Sequence, residues 1–363
     1  MIDQLPDQPR KGRGAVGNKA GRFESQDRVR IDDGWWQAEE EEFSRRLVTE
    51  LNPDASRTIL TRNTSPDIPF DRSINPYKGC EHGCIYCFAR PTHSYLSLSP
   101  GLDFETKIFF KSNPAELLEK DLRKKKYKCA AIALGVNTDA YQPAEKELGV
   151  TREILQVLHD YNHPVSIITK SARILRDLDL LAPMGSKNLA HVMISITTLD
   201  PGLARIMEPR ASSPANRLKA MRELNEAGVP TGVLASPMIP AINDMELEAI
   251  LEAAAGAGAV QAGYIFLRIP NELTELFEDW LRAHFPDRAE RVVSLIRQSR
   301  GGGLNSARFG ERMRGTGAYA DMLNKRFKVA CRKFGISRRN ENWEFDTSLF
   351  QPPPRAGDQM ALL

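Results

Sequence analysis

From about residue 70 onward, apolar residues fall into short continuous runs that alternate with stretches of helical spacing. The runs are rich in β-branched residues and end at turn residues, a pattern typical of strands buried in a parallel sheet. Repeated alternation of strand and helix predicts parallel strands joined by right-handed crossovers. We count about six such units, with strands directly before Cys80 and at 130–136, 164–170, 191–198, 230–240 and 259–269.

Six units fit two architectures, an open doubly wound sheet and an incomplete barrel, and the alternation alone does not choose between them. A dinucleotide-binding sheet of the doubly wound kind would carry a G-x-G-x-x-G turn after its first strand. Three cysteines stand at that place instead. Because both architectures collect their chemistry at the carboxyl ends of the strands, the cysteines occupy a position where active groups are expected.

The two ends of the chain depart from this central pattern. Residues 1–60 are polar and highly charged, and they predict a mostly disordered arm that covers part of the body. Within the arm, the pair Trp35 and Trp36 is the feature that indicates docking. Residues 66–296 contain the strand–helix units and form the predicted core domain. Residues 297–363 are basic and predict a helical extension.

The number of cysteines and the lengths of the apolar runs indicate the cellular compartment of the protein. The chain of 363 residues has five cysteines, which is too few for a secreted disulfide scaffold and an odd number. Its first residues lack the apolar core of a signal peptide, and no apolar run approaches the roughly 18 residues of a membrane span. We therefore expect a soluble, cytoplasmic protein with no membrane partner.

The stretch NPYKGCEHGCIYCFARP contains Cys80, Cys84 and Cys87 in a C-x3-C-x2-C spacing. Structural zinc usually has four ligands in paired motifs, and here His82 or His93 would have to complete the set without a second half-motif. A 4Fe–4S cluster held by three thiolates leaves one iron open to an external ligand, which accounts for the number three. The spacing resembles the motif of the radical S-adenosylmethionine (radical SAM) superfamily.

This resemblance implies a 4Fe–4S cluster on the three cysteines, S-adenosylmethionine as second cofactor, a partial (β/α)6 barrel as the core fold, and Tyr86 beside the adenine. The strand-end stretches GVNTDAYQPAE, IITKS and ISITTLD resemble those of the spore photoproduct lyase-like branch, often labelled DNA repair photolyases. By that resemblance, Thr138 contacts the methionine part of the cofactor, Lys170 its carboxylate and Ser195 a polar edge of the same group. Asp139 would accept hydrogen bonds from the ammonium group.

The extension has an uneven charge, with twelve Lys and Arg against two acids between Arg297 and Arg339. Its interleaved aromatic residues suit nucleic-acid backbones and unstacked bases. An amphipathic helix with a solvated basic side explains the same pattern, and the sequence leaves both interpretations open. Tyr319 and Cys331 add a narrower hypothesis, the return of a hydrogen atom as in photoproduct lyases, although we favour a buried core position for Cys331.

The sequence therefore predicts a radical SAM enzyme, in which the cofactors generate a 5′-deoxyadenosyl radical that abstracts hydrogen from a substrate. A base or lesion in a nucleic acid, bound through residues 297–339, is the leading substrate, and a protein or small molecule is the alternative. The alternative from another class is a non-catalytic, zinc-dependent nucleic-acid-binding module. An electron donor such as flavodoxin or ferredoxin is the expected protein partner.

Overall fold

The computed structural model describes residues 9–24, 47–338 and 343–354. The strands in these residues are β1 (Glu50–Asp54), β2 (Thr61–Arg62), β3 (Arg72–Ile74), β4 (Tyr77–Lys78), β5 (Lys107–Lys111), β6 (Ile132–Leu134), β7 (Val165–Thr169), β8 (Ala190–Ser195), β9 (Thr231–Met238), β10 (Gln261–Phe266) and β11 (Ser337–Arg338). The α-helices are α1 (Leu102–Thr106), α2 (Pro114–Leu122), α3 (Glu145–Leu148), α4 (Val150–Asp160), α5 (Leu178–Ser186), α6 (Pro201–Met207), α7 (Pro214–Glu226), α8 (Leu247–Gly256), α9 (Leu273–His284), α10 (Ala289–Gln298) and α11 (Gly317–Phe334). Short 3-10 turns cover Arg90–Leu96, Ala172–Asp177, Asp244–Glu246 and Pro286–Arg288.

The main sheet has the strand order β11-β10-β9-β8-β7-β6-β3-β2. From β3 to β10 its strands are parallel and each lies beside the next of these strands along the chain. A doubly wound sheet reverses its strand order at a switch point, whereas a barrel winds in one direction. The order therefore decides the question that the alternation left open, and the predicted partial barrel of six strand–helix units is confirmed.

Local signals account for where two of the crossover helices begin. The Asp200 side chain accepts a hydrogen bond from Gly202 N before α6, and the Ser213 side chain accepts one from Asn216 N before α7. Both caps are followed directly by a proline, whose fixed φ suits the first helical position. Helix α6 therefore begins close to the carboxyl end of β8. Helix α7 begins after the loop that follows α6, at the edge of the sheet where the strand-end residues meet.

The main apolar cluster packs the parallel strands against the crossover helices. Ile167 of β7 and Val233 of β9 are fully buried in it, together with Ile154 of α4 and Leu251 of α8. A second cluster joins residues next to the cysteines to α9, where Trp280 is fully buried. The second cluster places the cysteine motif against the helix that follows the last of the six strands.

The predicted polar arm, residues 1–60, is only partly within the described residues. Its residues 1–8 and 25–46, including Trp35 and Trp36, lie outside them. The part at 9–24 packs on the body, with Ala15 and Val16 buried, and β1 pairs with β5 in a smaller sheet of order β1-β5-β4. Polar composition alone did not predict these contacts.

The extension contains the predicted helix, α11, which packs on the core rather than standing apart. Leu323, Phe327 and Ala330 of α11 are buried in the main cluster, and β11 then adds a parallel strand beside β10. A further stretch, 343–354, hydrogen-bonds to the turns before β7 and β8 through Gln351 N to Tyr161 O and Asp346 N to Asn188 O. In the part of the chain that the structure describes, no helix combines the length and the apolar character that a membrane span requires.

Candidate active site

The three cysteines lie in a loop of residues 79–91, the cysteine loop, which follows β4 and leads into the first 3-10 turn. Cys80 and Cys84 are buried and Cys87 is half-buried, and none forms a disulfide. Gly83 has φ +68°, and a Cβ there would lie 2.8 Å from a Glu105 oxygen. A side chain at this position is therefore excluded both by backbone strain and by the neighbouring carboxylate.

A fully buried arginine holds the cysteine loop from within. Arg90 donates hydrogen bonds to Cys84 O at 2.9 Å and Gly83 O at 3.1 Å, and its Nη2 lies 2.5 Å from Glu105 Oε1. Both members of this ion pair have no solvent exposure. A buried guanidinium whose N–H groups are all directed at carbonyls and a carboxylate rigidifies the backbone that it contacts.

The Asp139 carboxylate links the cysteine loop to the strand ends. It accepts hydrogen bonds from Thr169 Oγ1 and from Lys170 N, both at 2.7 Å, and one oxygen lies 3.4 Å from Nδ1 of His82. Burial alone would raise the pKa of Asp139, but His82 and these hydrogen bonds lower it to about 2. Because Tyr141 N also donates to it, its oxygens are engaged by protein donors, and the predicted contact with a ligand ammonium stays a prediction.

The other strand-end residues gather around Tyr86. The Nζ atom of Lys170 lies 5.7 Å from the centre of the Tyr86 ring, so the predicted carboxylate-binding and adenine-contacting residues share one site. Thr138 is buried, and its hydroxyl donates to Tyr77 O at 2.6 Å. Ser195, also buried, ends β8 on the same edge of the sheet. The structure thus brings together residues that the sequence placed on separate strands, while their ligand contacts stay predictions.

Two buried residues at this site were missed by the sequence analysis. The Tyr86 hydroxyl donates to Glu208, and Arg217 donates to the other Glu208 oxygen and to Ser195 O at 2.9 Å. Burial raises the pKa of Glu208 although Arg217 acts to lower it. The stretch EPR that contains Glu208 follows α6 and offered a signal, a charged pair directly after a helix, but nothing in the sequence showed that it is buried.

The donor set of the cysteine loop fits an iron–sulfur cluster. Cys80, Cys84 and Cys87 are three free thiols on one loop, the donors that such a cluster takes. Burial, together with Asp139 and the other two thiols, raises the pKa of the Cys80 thiol well above its ordinary value. Among residues 9–24, 47–338 and 343–354, no three His, Cys, Asp or Glu side chains converge to hold a single metal ion. In a cubane each thiolate binds a different iron, so the sulfurs surround the cluster rather than converge on a point.

The histidines weighed as a fourth zinc ligand are engaged elsewhere. His82 lies against Asp139, and Nε2 of His93 is 3.0 Å from Lys107 O. Burial lowers the pKa of His93 to about 4. Both rings thus serve to position the residues around the cysteine loop.

Two arginine–aromatic pairs lie on the rim of the site. Phe88, directly after Cys87, is 44% exposed, and the guanidinium of Arg268, after β10, lies 5.0 Å from its ring centre. Phe309 is 60% exposed and pairs at the same distance with Arg312. Burial and Arg312 lower the pKa of Arg268. Leu304 O and Met313 O accept hydrogen bonds from Ile269 N and Phe266 N, which places the segment around Phe309 beside the end of β10. We call residues 304–314 the basic loop.

The structure divides the basic segment 297–339 into two parts. The basic loop lies on the rim, and α11 carries Lys325, Lys328, Arg332 and Lys333 on its exposed side, away from its buried face. Phe327 of α11 packs inward, with its ring centre 4.8 Å from that of Tyr264 and the two rings tilted by 50°. Of the interleaved aromatics, Phe309 is the one that is exposed, so only the basic loop retains the predicted composition in an accessible form.

Tyr319 and Cys331, the two residues of the hydrogen-return hypothesis, lie in different surroundings. The Tyr319 hydroxyl donates to Asp244 Oδ2 at 2.6 Å. Cys331 is 2% exposed within the main apolar cluster, so the favoured core position is confirmed.

Comparison with known proteins agrees with this geometry. The model of the radical SAM superfamily matches residues 74–254. An uncharacterized protein of Mycobacterium tuberculosis is 35% identical over 233 residues, which cover 64% of this chain and 68% of that protein. An uncharacterized protein of Methanocaldococcus jannaschii is 32% identical over 173 residues, 48% of this chain and 62% of its own.

The fold is shared with a solved enzyme structure. Spore photoproduct lyase, as a double mutant with bound AdoMet and dinucleoside spore photoproduct, matches with a TM-score of 0.56 at 14% identity, over 82% of each chain. A second structure of that lyase, complexed with dinucleoside spore photoproduct, has the same TM-score at 15% identity, over 79% of this chain and 81% of its own. The family model over residues 74–254, together with the three-thiol loop, shows that the chain belongs to the radical SAM superfamily, whose cofactors are S-adenosylmethionine and a 4Fe–4S cluster.

Proposed function

We propose that this protein is a radical SAM enzyme that acts on a base or lesion in a nucleic acid, with lyase-type DNA repair as the leading reaction class. When bound, the cluster and S-adenosylmethionine supply a 5′-deoxyadenosyl radical that abstracts hydrogen from the substrate. The protein supplies placement and the exclusion of water. A one-electron donor such as flavodoxin or ferredoxin is the proposed partner for reduction.

The residues around Tyr86 have the chemistry that this role needs. Cys80, Cys84 and Cys87 provide thiolates, and Lys170, half-buried beside the Tyr86 ring, provides a cation for a carboxylate. An aromatic ring beside that cation suits an adenine on one face. Cys80, Cys84 and Tyr86 are buried, so most of the site is shielded from solvent.

The observation that carries the choice of substrate is the rim. Phe88 and Phe309 are 44% and 60% exposed, each with a guanidinium 5.0 Å from its ring centre, and Arg308 beside Phe309 is 82% exposed. Base–aromatic stacking contributes about 1–3 kcal/mol per base, and clustered arginines attract the phosphate backbone. A base acted on here has to leave the duplex stack, which the position of the site below its rim requires.

The fold likeness gives independent support. The spore photoproduct lyase structures hold a dinucleoside photoproduct in the same fold. A dinucleoside is a minimal nucleic-acid substrate, of the class that exposed aromatic and arginine side chains bind.

Binding of labelled oligonucleotides tests the proposal. Fluorescence anisotropy is measured at two salt concentrations for single-stranded, lesion-bearing and duplex DNA. Arg308→Ala/Phe309→Ala should weaken binding by roughly 1–3 kcal/mol and lower the salt slope by about one unit, because a stacking face and a phosphate contact are lost. The matched control is Lys325→Ala/Lys328→Ala, which removes exposed cations from the outer side of α11.

The outcomes separate the substrate classes. Tighter binding of single-stranded or lesion-bearing DNA, lost in the rim variant and kept in the control, supports a nucleic-acid substrate. Equal, weak binding by all three proteins removes nucleic acid and leaves a protein or small molecule as the substrate of the radical chemistry.

A further inference from the structure

Residues 13–22, which we call the strap, pack against the cysteine loop, although some seventy residues separate the two in sequence. Gly14 N and Ala15 N donate to the two oxygens of Glu105, at 3.1 and 2.9 Å. The same carboxylate pairs with Arg90, whose other N–H groups hold Gly83 O and Cys84 O. The strap and the cysteine loop therefore share one fully buried carboxylate.

The approach of the two backbones is unusually close. A Cβ at Gly14 would lie 1.8 Å from Gly83 O and 3.4 Å from Ile85 N. Real Cβ atoms do not approach a carbonyl oxygen so closely, and both neighbouring atoms belong to backbone that cannot rotate away. Gly14 is thus the position at which the strap contacts the residues directly flanking Cys84.

At its other end the strap is tied to α9. Lys19 Nζ lies 2.8 Å from Asp279, and Arg22 Nε lies 2.7 Å from Glu272 at the start of that helix. The cysteine loop follows the first of the six parallel strands and α9 follows the last. The strap consequently joins the two ends of the open barrel across the carboxyl edge of its sheet.

We infer that the strap holds the cysteine loop in the conformation that binds the iron–sulfur cluster, so that Gly14 and Glu105 are positioning residues for cluster retention. Partners that orient the ligands of a metal centre from behind contribute to its affinity. Because Glu105 and Arg90 already order the loop, cluster binding does not have to offset the entropic cost of ordering it. This inference concerns the cofactor and does not depend on the proposed nucleic-acid substrate.

The experiment uses the full chain, reconstituted without oxygen, and follows the loss of visible cluster absorption to an added iron chelator. Gly14→Ala introduces the clashing Cβ, and Gly256→Ala is the matched control because a Cβ there meets nothing within 4 Å. We expect Gly14→Ala to lose iron about tenfold faster or more, the low end of the effect of removing an outer partner of a metal site. The control should lose iron at the wild-type rate. The thermal unfolding of the iron-free proteins is measured in parallel.

A second variant distinguishes a specific effect on cluster retention from a general destabilisation of the fold. Lys19→Ala/Arg22→Ala detaches the strap at α9 without touching the cysteine loop, and we expect iron loss several-fold faster, because both partly exposed ion pairs to α9 are lost. Wild-type unfolding with faster iron loss in either variant supports the inference. Wild-type iron retention in Gly14→Ala overturns it. If Gly14→Ala also unfolds earlier, the double variant decides, and wild-type iron loss there overturns the inference as well.

Discussion

The cysteine loop and the basic loop lie on the same edge of the barrel but differ in how far their side chains are exposed. The cysteine loop is fixed by Arg90 and Glu105, both without solvent exposure. The backbone of the basic loop is held by Arg300, which donates to Glu311 O and Arg312 O, but the loop presents Arg308 at 82% and Phe309 at 60% exposure. The groups that hold the cofactor are thus enclosed, and the groups proposed to meet the substrate are open to water.

The difference between the two loops indicates which of them fixes the reacting geometry and which recognises the substrate. An enclosed ion pair acts at low dielectric and defines one geometry, so the loop that it holds is preorganised. A surface pair is screened by water and salt and permits adjustment to a large ligand. Reactive chemistry and recognition are therefore assigned to loops of different rigidity, and substitutions in the two loops should have different consequences.

The largest effect is expected from loss of a cluster ligand. Cys84→Ala should abolish the brown colour and the roughly four irons per chain of a reconstituted cubane, because two thiolates do not hold it. Iron analysis and visible spectra of protein purified without oxygen provide the measurement. Cys129→Ala, at a half-buried thiol outside the cysteine loop, serves as control and should keep its iron. One zinc per chain in place of iron would contradict the cluster assignment.

A smaller effect, on stability, compares the two loops directly. Arg90→Met leaves Glu105 buried without its cation and should lower the free energy of unfolding of the iron-free chain by about 3–5 kcal/mol. Arg308→Met removes the exposed pair with Glu311 in the basic loop and should change it by less than about 1 kcal/mol, and by less still at high salt. Denaturant titrations at two salt concentrations measure both. Equal losses in the two variants would show that the loops do not differ in rigidity.

The sequence predicted the features that are carried by local pattern. Five of the six parallel strands were found because strands buried on both faces are continuous apolar runs, and the first was assigned from its place before the cysteines. The cysteine loop was found because its ligand spacing lies within eight residues. Asp139 and Lys170 were placed at one site because their strand-end stretches resemble those of a known branch. In each case the relevant information lies within a short stretch of chain.

The features that were not predicted depend on long-range packing. Glu105 and Arg90 are single charges in sequence, and only the fold shows that they face one another in the interior. The strap was described as part of a polar arm because it binds through backbone N–H groups and glycines, which leave no apolar period. The basic segment could not be divided between rim and helix because Phe327 and Phe309 look alike in sequence, although one is 6% and the other 60% exposed.

The smallest of the three effects concerns Lys170, which lies between the enclosed and the open region. It is half-buried, its backbone N–H is held by Asp139 at 2.7 Å, and its ammonium group is free to reach a carboxylate beside Tyr86. Lys170→Ala should lose one charge-assisted hydrogen bond, about 1.5–3 kcal/mol, and thus weaken S-adenosylmethionine binding roughly ten- to a hundredfold. Because Asp139 accepts from the backbone and not from the side chain, the cysteine loop should keep its cluster and the chain its stability.

Equilibrium binding of S-adenosylmethionine to the reconstituted protein measures this effect, with iron content determined on the same sample. Lys187→Ala, whose ammonium group bonds to Asn162 on the surface, is the matched control and should bind as wild type does. Loss of iron in Lys170→Ala would show that the side chain braces the cysteine loop, and the boundary between the enclosed and open regions would then lie further out. Unchanged binding with intact iron would mean that another cation receives the carboxylate, and Arg268 on the rim would be the next residue to substitute.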